Sequence, residues 1–471
     1  MQALCFPARS LLCSLVFIDK SGRILMPDNI EQLLAKAAKP SEDALKMHPF
    51  YRGKIQVMPK CPVRNFDDFA IWYSPGVAAP CKEIAANPEK VMEHTNKGNL
   101  VAIVTDGTRV LGLGDIGAEA AMPVMEGKAL LFKYLGGVDA FPICLKTKDP
   151  DELIRVCRLL EGTFGGINLE DIAQPKCFHI LDTLRAEAEI PVWHDDQQGT
   201  AAVTLAGLIN ALKIVDKKLQ DVKVAMVGAG AANIAISRLL FYAGVNPENT
   251  IMVDINGILH KDRTDAVNEC KEKEKLCRIT NRDDVRGGIP EAMNGADVLI
   301  ALSKPGPDTI KKEWIESMAG DAIVFTCANP IPEIWPWDAK EAGARIVATG
   351  RSDFPNQVNN SIGFPGIFRG TLDVRAATIT DEMCVAAAEA LAKIAEEKGL
   401  REDHILPSMD EWDIYPRVAT AVGMKAIEQG VAKQVMTEQE LFDKSSAIIK
   451  NARESARMLM DSGMIPPYKE E

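Results

Sequence analysis

From residue 222 onward one pattern recurs: a short β-branched apolar run, ending at Gly, Asp, Asn, Ser or Thr, then a longer amphipathic or charged stretch. The runs fall at 222–227, 250–253, 297–302, 322–325 and 345–348. Runs this short and continuous suit strands buried on both faces, so the spacing predicts a parallel sheet covered by helices. The charged stretch ECKEKEKLCR (269–278) then reads as a solvated helix face.

The first run opens VKVAMVGAGAANIAISRLL (222–240): strand, G-x-G turn, and a helix of small residues. Gly228 permits the turn, and Gly230 lets backbone approach a pyrophosphate over the helix start made by Ala231, Ala232 and Asn233. Asn233 stands where the fingerprint's third glycine would be, which is expected to loosen helix–strand packing. The next strand ends at Asp254, where an acid can accept hydrogen bonds from an adenosine ribose. This predicts a dinucleotide cofactor, NAD, with NADP as the alternative. Lys261 and Arg263 in HKDR, which could hold a 2′-phosphate, read as a solvated loop beyond Asn256-Gly257. A structural glycine turn is the competing reading.

At 471 residues the chain exceeds one core, and a net charge of −12 argues against nucleic acid or an anionic membrane as partner. Eleven cysteines without a C-x-x-C pair suggest reduced thiols in a cytoplasmic compartment. No apolar run reaches a membrane-spanning length. The opening MQALCFPARSLLCSLVF reads as a ragged extension, with a transit segment as the alternative.

Before residue 197 the pattern differs. NLVAIVTDGTRVLGLG (99–114) reads as two strands around Asp106-Gly107, a hairpin. KDPDELIRVCRLLEG reads as a helix capped by Asp149, with Leu153, Val156, Cys157 and Leu160 on its apolar face. Another helix is expected to open at Pro175. The expected domains are an N-terminal α/β catalytic and substrate domain (1–196), a Rossmann-like doubly wound domain (197–374) and a helical tail (375–471).

Two carboxylate pairs stand at the ends of short apolar runs: Glu170-Asp171 in INLEDIAQP and Asp195-Asp196 in PVWHDDQQG. Strand carboxyl ends converge on the crevice of an open α/β sheet, and four carboxylates there need a counter-charge. A divalent cation, Mg²⁺ or Mn²⁺, supplies one. Alternatively each pair caps the helix that follows it, and spacing alone leaves the two readings even.

FDDFAIWYSPGVAAPCKEI (66–84) and LGDIGAEAAMPVMEGKALLF (113–132) tip the balance. With IVATGRSDFPNQVNNSIGFPGIFRGTLD (346–373) and the motifs above, they resemble the malic enzyme family in its shorter form, over most of the chain. The resemblance implies oxidation and decarboxylation of malate to pyruvate and CO₂ with reduction of a nicotinamide cofactor. It implies Lys128 as the base, its pKa lowered by a cation or by burial, and Asp195 as the acid orienting it. Glu170, Asp171 and Asp196 match metal ligands, and Tyr73 matches the proton donor to the enolate. Arg109 matches a clamp on the substrate carboxylate, while Asn329 and Asn360 match amides contacting substrate and nicotinamide. His194 is expected to pack or to support the ligands, not to ligate. A homodimer or higher homo-oligomer is implied. A malolactic decarboxylase yielding lactate shares the motifs, and a non-catalytic nucleotide-binding scaffold is the third reading.

Overall fold

The computed structural model describes the backbone of Phe17–Ile18, Ile24–Leu25 and residues 27–469, with side chains from residue 39. The expectation for residues 1–16 lies outside the described residues. The chain divides into two compact units. In the first, the helix Pro27–Tyr51 ends where Phe50 meets Tyr51 and Tyr468 edge-on, with centroids 4.8 and 5.3 Å apart. The second, residues 55–467, carries two sheets.

Four parallel strands form the first sheet: β1 (Leu100–Thr105), β2 (Asp139–Cys144), β3 (Gly166–Leu169) and β4 (Val192–His194), in the order β2-β1-β3-β4. The hairpin expected over 99–114 is not formed. Val101 to Val104 are each fully buried, and a strand buried on both faces takes parallel neighbours, here β2 and β3. Beyond β1 only Val110 and Gly114 meet, in one isolated bridge. The helix Pro150–Leu160 is capped as expected, Asp149 accepting from Asp151 N and Glu152 N. Its buried face includes Ile154 beside Leu153 and Cys157, with Val156 and Leu160 half-buried. The helix Lys176–Glu187 starts directly after Pro175.

The second sheet contains β5 (Val224–Val227), β6 (Thr250–Asp254), β7 (Gly257–Ile258), β8 (Val298–Ala301), β9 (Ile323–Thr326) and β10 (Ile346–Thr349). Its order is β10-β9-β8-β5-β6-β7, parallel except for β7. From β5 the chain builds outward to β6, then returns to build the other way from β8. That reversal puts the switch point between β5 and β8, above the carboxyl ends of the strands. All five expected runs are strands of this sheet, and the fold is α/β with a Rossmann-like nucleotide sheet.

The helix Thr200–Ile214 joins the two sheets. It starts at the turn after β4 and packs against the helices Ala231–Ala243 and Asp381–Glu397. Its small side chains (Ala201, Ala202, Ala206, Gly207) are buried, which permits that close approach. Past residue 375 the chain is helical, as expected: Asp381–Glu397, capped by Thr380, then Ile414–Glu428 and Glu438–Asp461. The charged stretch 269–278 is more than a solvated face. The helix Lys271–Ile279 buries Lys273, Leu276 and Cys277. No helix among the described residues is long and apolar enough to cross a membrane.

Candidate active site

The two carboxylate pairs extend neighbouring strands. Glu170-Asp171 follows β3, and Asp195-Asp196 opens the tight π-turn Asp195–Gly199 after β4. None of the four caps a helix: the turn and the helices Lys176–Glu187 and Thr200–Ile214 all lack a side-chain cap. Instead Asp196 Oδ2 accepts from Asp171 N at 2.8 Å, tying one strand end to the next. Asp171 holds φ +55°, a strained conformation for a non-glycine residue, and its Oδ2 is buried without a partner.

Lys128 reaches this cluster from the helix Ala118–Gly136 and is 8% exposed. Its Nζ lies 2.5 Å from Asp195 Oδ2 and 3.0 Å from Glu170 Oε1, with the Phe364 ring 4.3 Å away on another side. Trp193 Nε1 donates to Asp195 Oδ1 at 3.1 Å, and Asn168 Nδ2 donates to Glu170 Oε2 at 2.8 Å. Both Lys128-facing carboxylates are therefore held from behind. Burial alone would lower the lysine's pKa, but the charges of Asp195 and Glu170 outweigh it and hold the pKa above the ordinary lysine value. The expected lowering is thus absent among the protein's own charges.

Burial, reinforced by the charge of Asp196, pushes Asp171 up to about 8, and burial with the neighbouring acids raises Glu170 well above the carboxylate range. Four acids against one lysine leave excess negative charge in a site where three of the acids are buried and Asp196 is partly exposed. A hard divalent cation with oxygen ligands fits this donor set, and the unpartnered Asp171 Oδ2 is a free donor for it. Among the described residues no three such ligands already form a ready-made cage. His194 is fully buried with both ring nitrogens unbonded, its Nδ1 3.6 Å from Asp196 Oδ2, and burial lowers its pKa.

The other residues singled out in the sequence surround this cluster unevenly. Arg109 N donates to the main-chain carbonyl of Asp171 at 3.0 Å, so the loop after β1 is fastened to the backbone that carries the carboxylates, while the Arg109 side chain is exposed. Gly199 has no room for a side chain. A Cβ there would lie 1.9 Å from Asp195 Oδ1 and 3.3 Å from the Asn360 Cβ, which places Asn360 against the turn that carries Asp195. Asn329 is exposed at the end of β9, and a Cβ on Gly112 would come within 2.8 Å of its carbonyl oxygen. The loop that carries Arg109 therefore abuts the loop that carries Asn329. Tyr73 stands apart. It is 74% exposed, and its hydroxyl has no hydrogen-bond partner among the described residues. Phe66, Phe69, Ile71, Trp72 and Val77 around it are also exposed.

In the second sheet, Gly228 holds φ +95°, and a Cβ there would strike Leu302 O at 2.4 Å. A Cβ on Gly230 would meet nothing within 4 Å, so the space over the helix start is open to a pyrophosphate. Asn233 does not loosen the turn. Its buried amide donates to Val227 O at 2.9 Å and Gly228 O at 2.8 Å, closing the turn where a glycine would only have packed. Asp254 ends β6 as expected, but Arg263 is not solvated. It is 9% exposed, and its Nη2 sits 2.9 Å from both Asp254 oxygens. Buried Lys273 adds a second cation 3.6 Å away.

Sequence reasoning missed Trp193, Asn168 and Phe364. The first two were within reach: Asn168 shares a strand face with Glu170, and Trp193 lies two residues before Asp195. Phe364 arrives from a distant segment, and nothing local signals it.

Residues 52–185 match the family Malic enzyme, N-terminal domain, and residues 197–427 match Malic enzyme, NAD binding domain. The chain is 50% identical over 404 residues to the bifunctional malic/malolactic enzyme of Bacillus subtilis, covering 86% of this chain and 97% of that one. It is 51% identical over 399 residues to the NAD-dependent malic enzyme of Geobacillus stearothermophilus, covering 85% and 81%. The crystal structure of the Entamoeba histolytica malic enzyme superposes with a TM-score of 0.91 at 49% identity, covering 94% of this chain and 93% of that one. With its carboxylate cluster, buried lysine and glycine turn set in two matching family domains, the chain belongs to the malic enzyme family.

Proposed function

We propose that this chain oxidises malate and decarboxylates the product to pyruvate, passing hydride to NAD⁺. The observation that carries this reading is the buried Lys128 ammonium between Asp195 and Glu170 at the ends of β3 and β4. Lys128 acts in its neutral form: once the ammonium has given up its own proton, Nζ takes the proton of the C2 hydroxyl as the C2 hydride leaves for the nicotinamide. Asp195, steadied by Trp193, fixes where Nζ points. Arg109 clamps a substrate carboxylate with its guanidinium fork, and Asn360 and Asn329 approach substrate and nicotinamide. Glu170, Asp171 and Asp196 would hold Mg²⁺ or Mn²⁺, which when bound supplies Lewis-acid stabilisation of the enolate left after CO₂ departs. Tyr73 then protonates carbon 3. The division into domains at 196/197 and 374/375 belongs to the same proposal. A stripped preparation given malate and NAD⁺ tests it. Reduced cofactor should form only when Mn²⁺ or Mg²⁺ is restored, and formation in excess chelator would contradict the ligand assignment.

The exposed Tyr73 supports a second part of the reading. A proton donor cannot work in solvent far from its substrate, and the apolar side chains around it need cover. A second copy of the chain supplies that cover in a homodimer, with Tyr73 completing the partner's site. In a two-fold dimer, mixing inactive Tyr73→Phe and Lys128→Ala chains should restore activity to about a quarter of the parent. No restoration, with subunit exchange verified, would place Tyr73 in its own chain's site. The free thiols of all nine described cysteines support a reducing, cytoplasmic setting.

For the cofactor we infer a preference for NAD⁺ over NADP⁺. Both Asp254 oxygens engage Arg263, so that cation is committed to the acid and is not available to a 2′-phosphate. Asp254→Ser removes the like charge facing a 2′-phosphate and leaves Arg263 held by Asp265 and Lys273 by Glu269. The NADP⁺/NAD⁺ ratio of kcat/KM should rise about 10- to 100-fold, the scale of one close charge contact. A ratio that stays put would remove Asp254 from cofactor choice.

The malolactic reading draws on the bifunctional Bacillus subtilis relative. The same residues would serve it, with the hydride returned to the keto carbon before release.

A further inference from the structure

We propose that Glu333 is a positioning residue for the nicotinamide cofactor, setting the two loops at the carboxyl edge of β8 and β9 on which that cofactor rests. This inference rests on the reading of the second sheet as the nucleotide site. Glu333 is fully buried. Its Oε1 accepts from Ser303 N at 2.8 Å and Ser303 Oγ at 3.3 Å, and its Oε2 accepts from Ala328 N at 3.1 Å. Ser303 lies just past β8 and Ala328 just past β9, so one carboxylate bridges two adjacent strand ends.

Both loops lead directly to cofactor-facing positions. A Cβ added at Gly228 would lie 2.4 Å from Leu302 O and 3.2 Å from the Ser303 Cβ, so the Ser303 loop buttresses the glycine turn. Ala328 directly precedes Asn329, whose carbonyl borders Gly112 in the loop carrying Arg109. The Glu333 carbonyl also accepts from Ile310 N at 3.0 Å, anchoring the glutamate's own backbone. Moving Glu333 would therefore shift the phosphate turn on one side and the amide of Asn329 on the other.

Among the described residues the carboxylate has three donors from Ser303 and Ala328 and no cationic partner. Burial pushes its pKa up to about 7, against the pull of those donors. An apolar or neutral residue would fill the space at lower desolvation cost. What the carboxylate alone provides is two acceptor oxygens that hold two backbone N–H groups of different loops at once. That is a geometric role.

Glu333→Gln tests it, because the amide keeps the size but offers only one acceptor oxygen. Calorimetry on the full chain measures NAD⁺ affinity, and steady-state kinetics measures both substrates. Affinity and kcat/KM for NAD⁺ should fall about tenfold or more, the effect of losing one hydrogen bond to a charged group. The KM for malate at saturating NAD⁺ should rise by less than the loss in NAD⁺ affinity, since the carboxylates lie on the first sheet and are linked to this site through Asn329. A lower unfolding midpoint with unchanged NAD⁺ affinity would make Glu333 a structural residue only and overturn the inference. If Glu333→Gln fails to fold, Ser303→Ala removes the hydroxyl bond alone. It should weaken NAD⁺ by about two- to fivefold, and an unchanged affinity overturns the inference equally. If the parent binds neither NAD⁺ nor NADP⁺, the nucleotide reading falls and this inference falls with it. If the parent binds and the variants bind equally well, only the inference falls.

Discussion

Lys128→Ala is expected to lower malate oxidation by about 100- to 10,000-fold, the span of general-base catalysis. The lysine lies against two of the buried acids, at 2.5 Å from Asp195 and 3.0 Å from Glu170. Its raised pKa shows that these acids hold the proton on it. A cation among the same acids would compete for their charge and release the ammonium's proton, which is how a lysine here becomes a base. Decarboxylation of added oxaloacetate bypasses the redox step, so it should survive in Lys128→Ala far better than malate oxidation does. Single-turnover assays of the two steps check this. Equal loss of both would assign Lys128 to the substrate's position, not to the hydroxyl proton.

Asp196→Asn is expected to weaken Mn²⁺ activation by at least about 10- to 100-fold, the cost already typical of an outer-shell partner. On the proposed ligand set, the substitution removes one anionic ligand. It also weakens the acceptor that Asp171 N uses across the strand ends, 2.8 Å away. The glycine turn and Asp254 belong to the other sheet, so nucleotide affinity should change little. Titrating Mn²⁺ by activity and NAD⁺ by calorimetry in the same preparation separates these effects. Near-normal activation at limiting Mn²⁺ would contradict the ligand assignment.

How much of this was legible before the structure depended on whether the controlling contacts were local. The five parallel strands of the second sheet were legible, because a strand buried on both faces leaves a continuous apolar run that no loop imitates, whereas the two-residue antiparallel β7 leaves none. The same physics misled the reading of 99–114. Asp106-Gly107 is a turn signal in any context, and only the full burial of Val101 to Val104 shows that the strand wants neighbours on both sides. The carboxylate pairs announced themselves by position, but their spacing could not separate helix capping from a shared site. The bond from Asp171 N to Asp196 makes that distinction across 25 residues of chain. Arg263 and Lys273 looked solvated because their partner, Asp254, lies 9 and 19 residues away in sequence and on another element. Glu333 could not be found locally at all, since its donors belong to two separate loops.

Malate deuterated at carbon 2 tests the central claim most directly. With Mn²⁺ and NAD⁺, the deuterium should appear in the reduced nicotinamide, in one-to-one stoichiometry with unlabelled pyruvate, as mass spectrometry of both products would register. Lactate carrying the deuterium at carbon 2, with no net reduced cofactor, would contradict oxidative decarboxylation and establish the malolactic outcome instead.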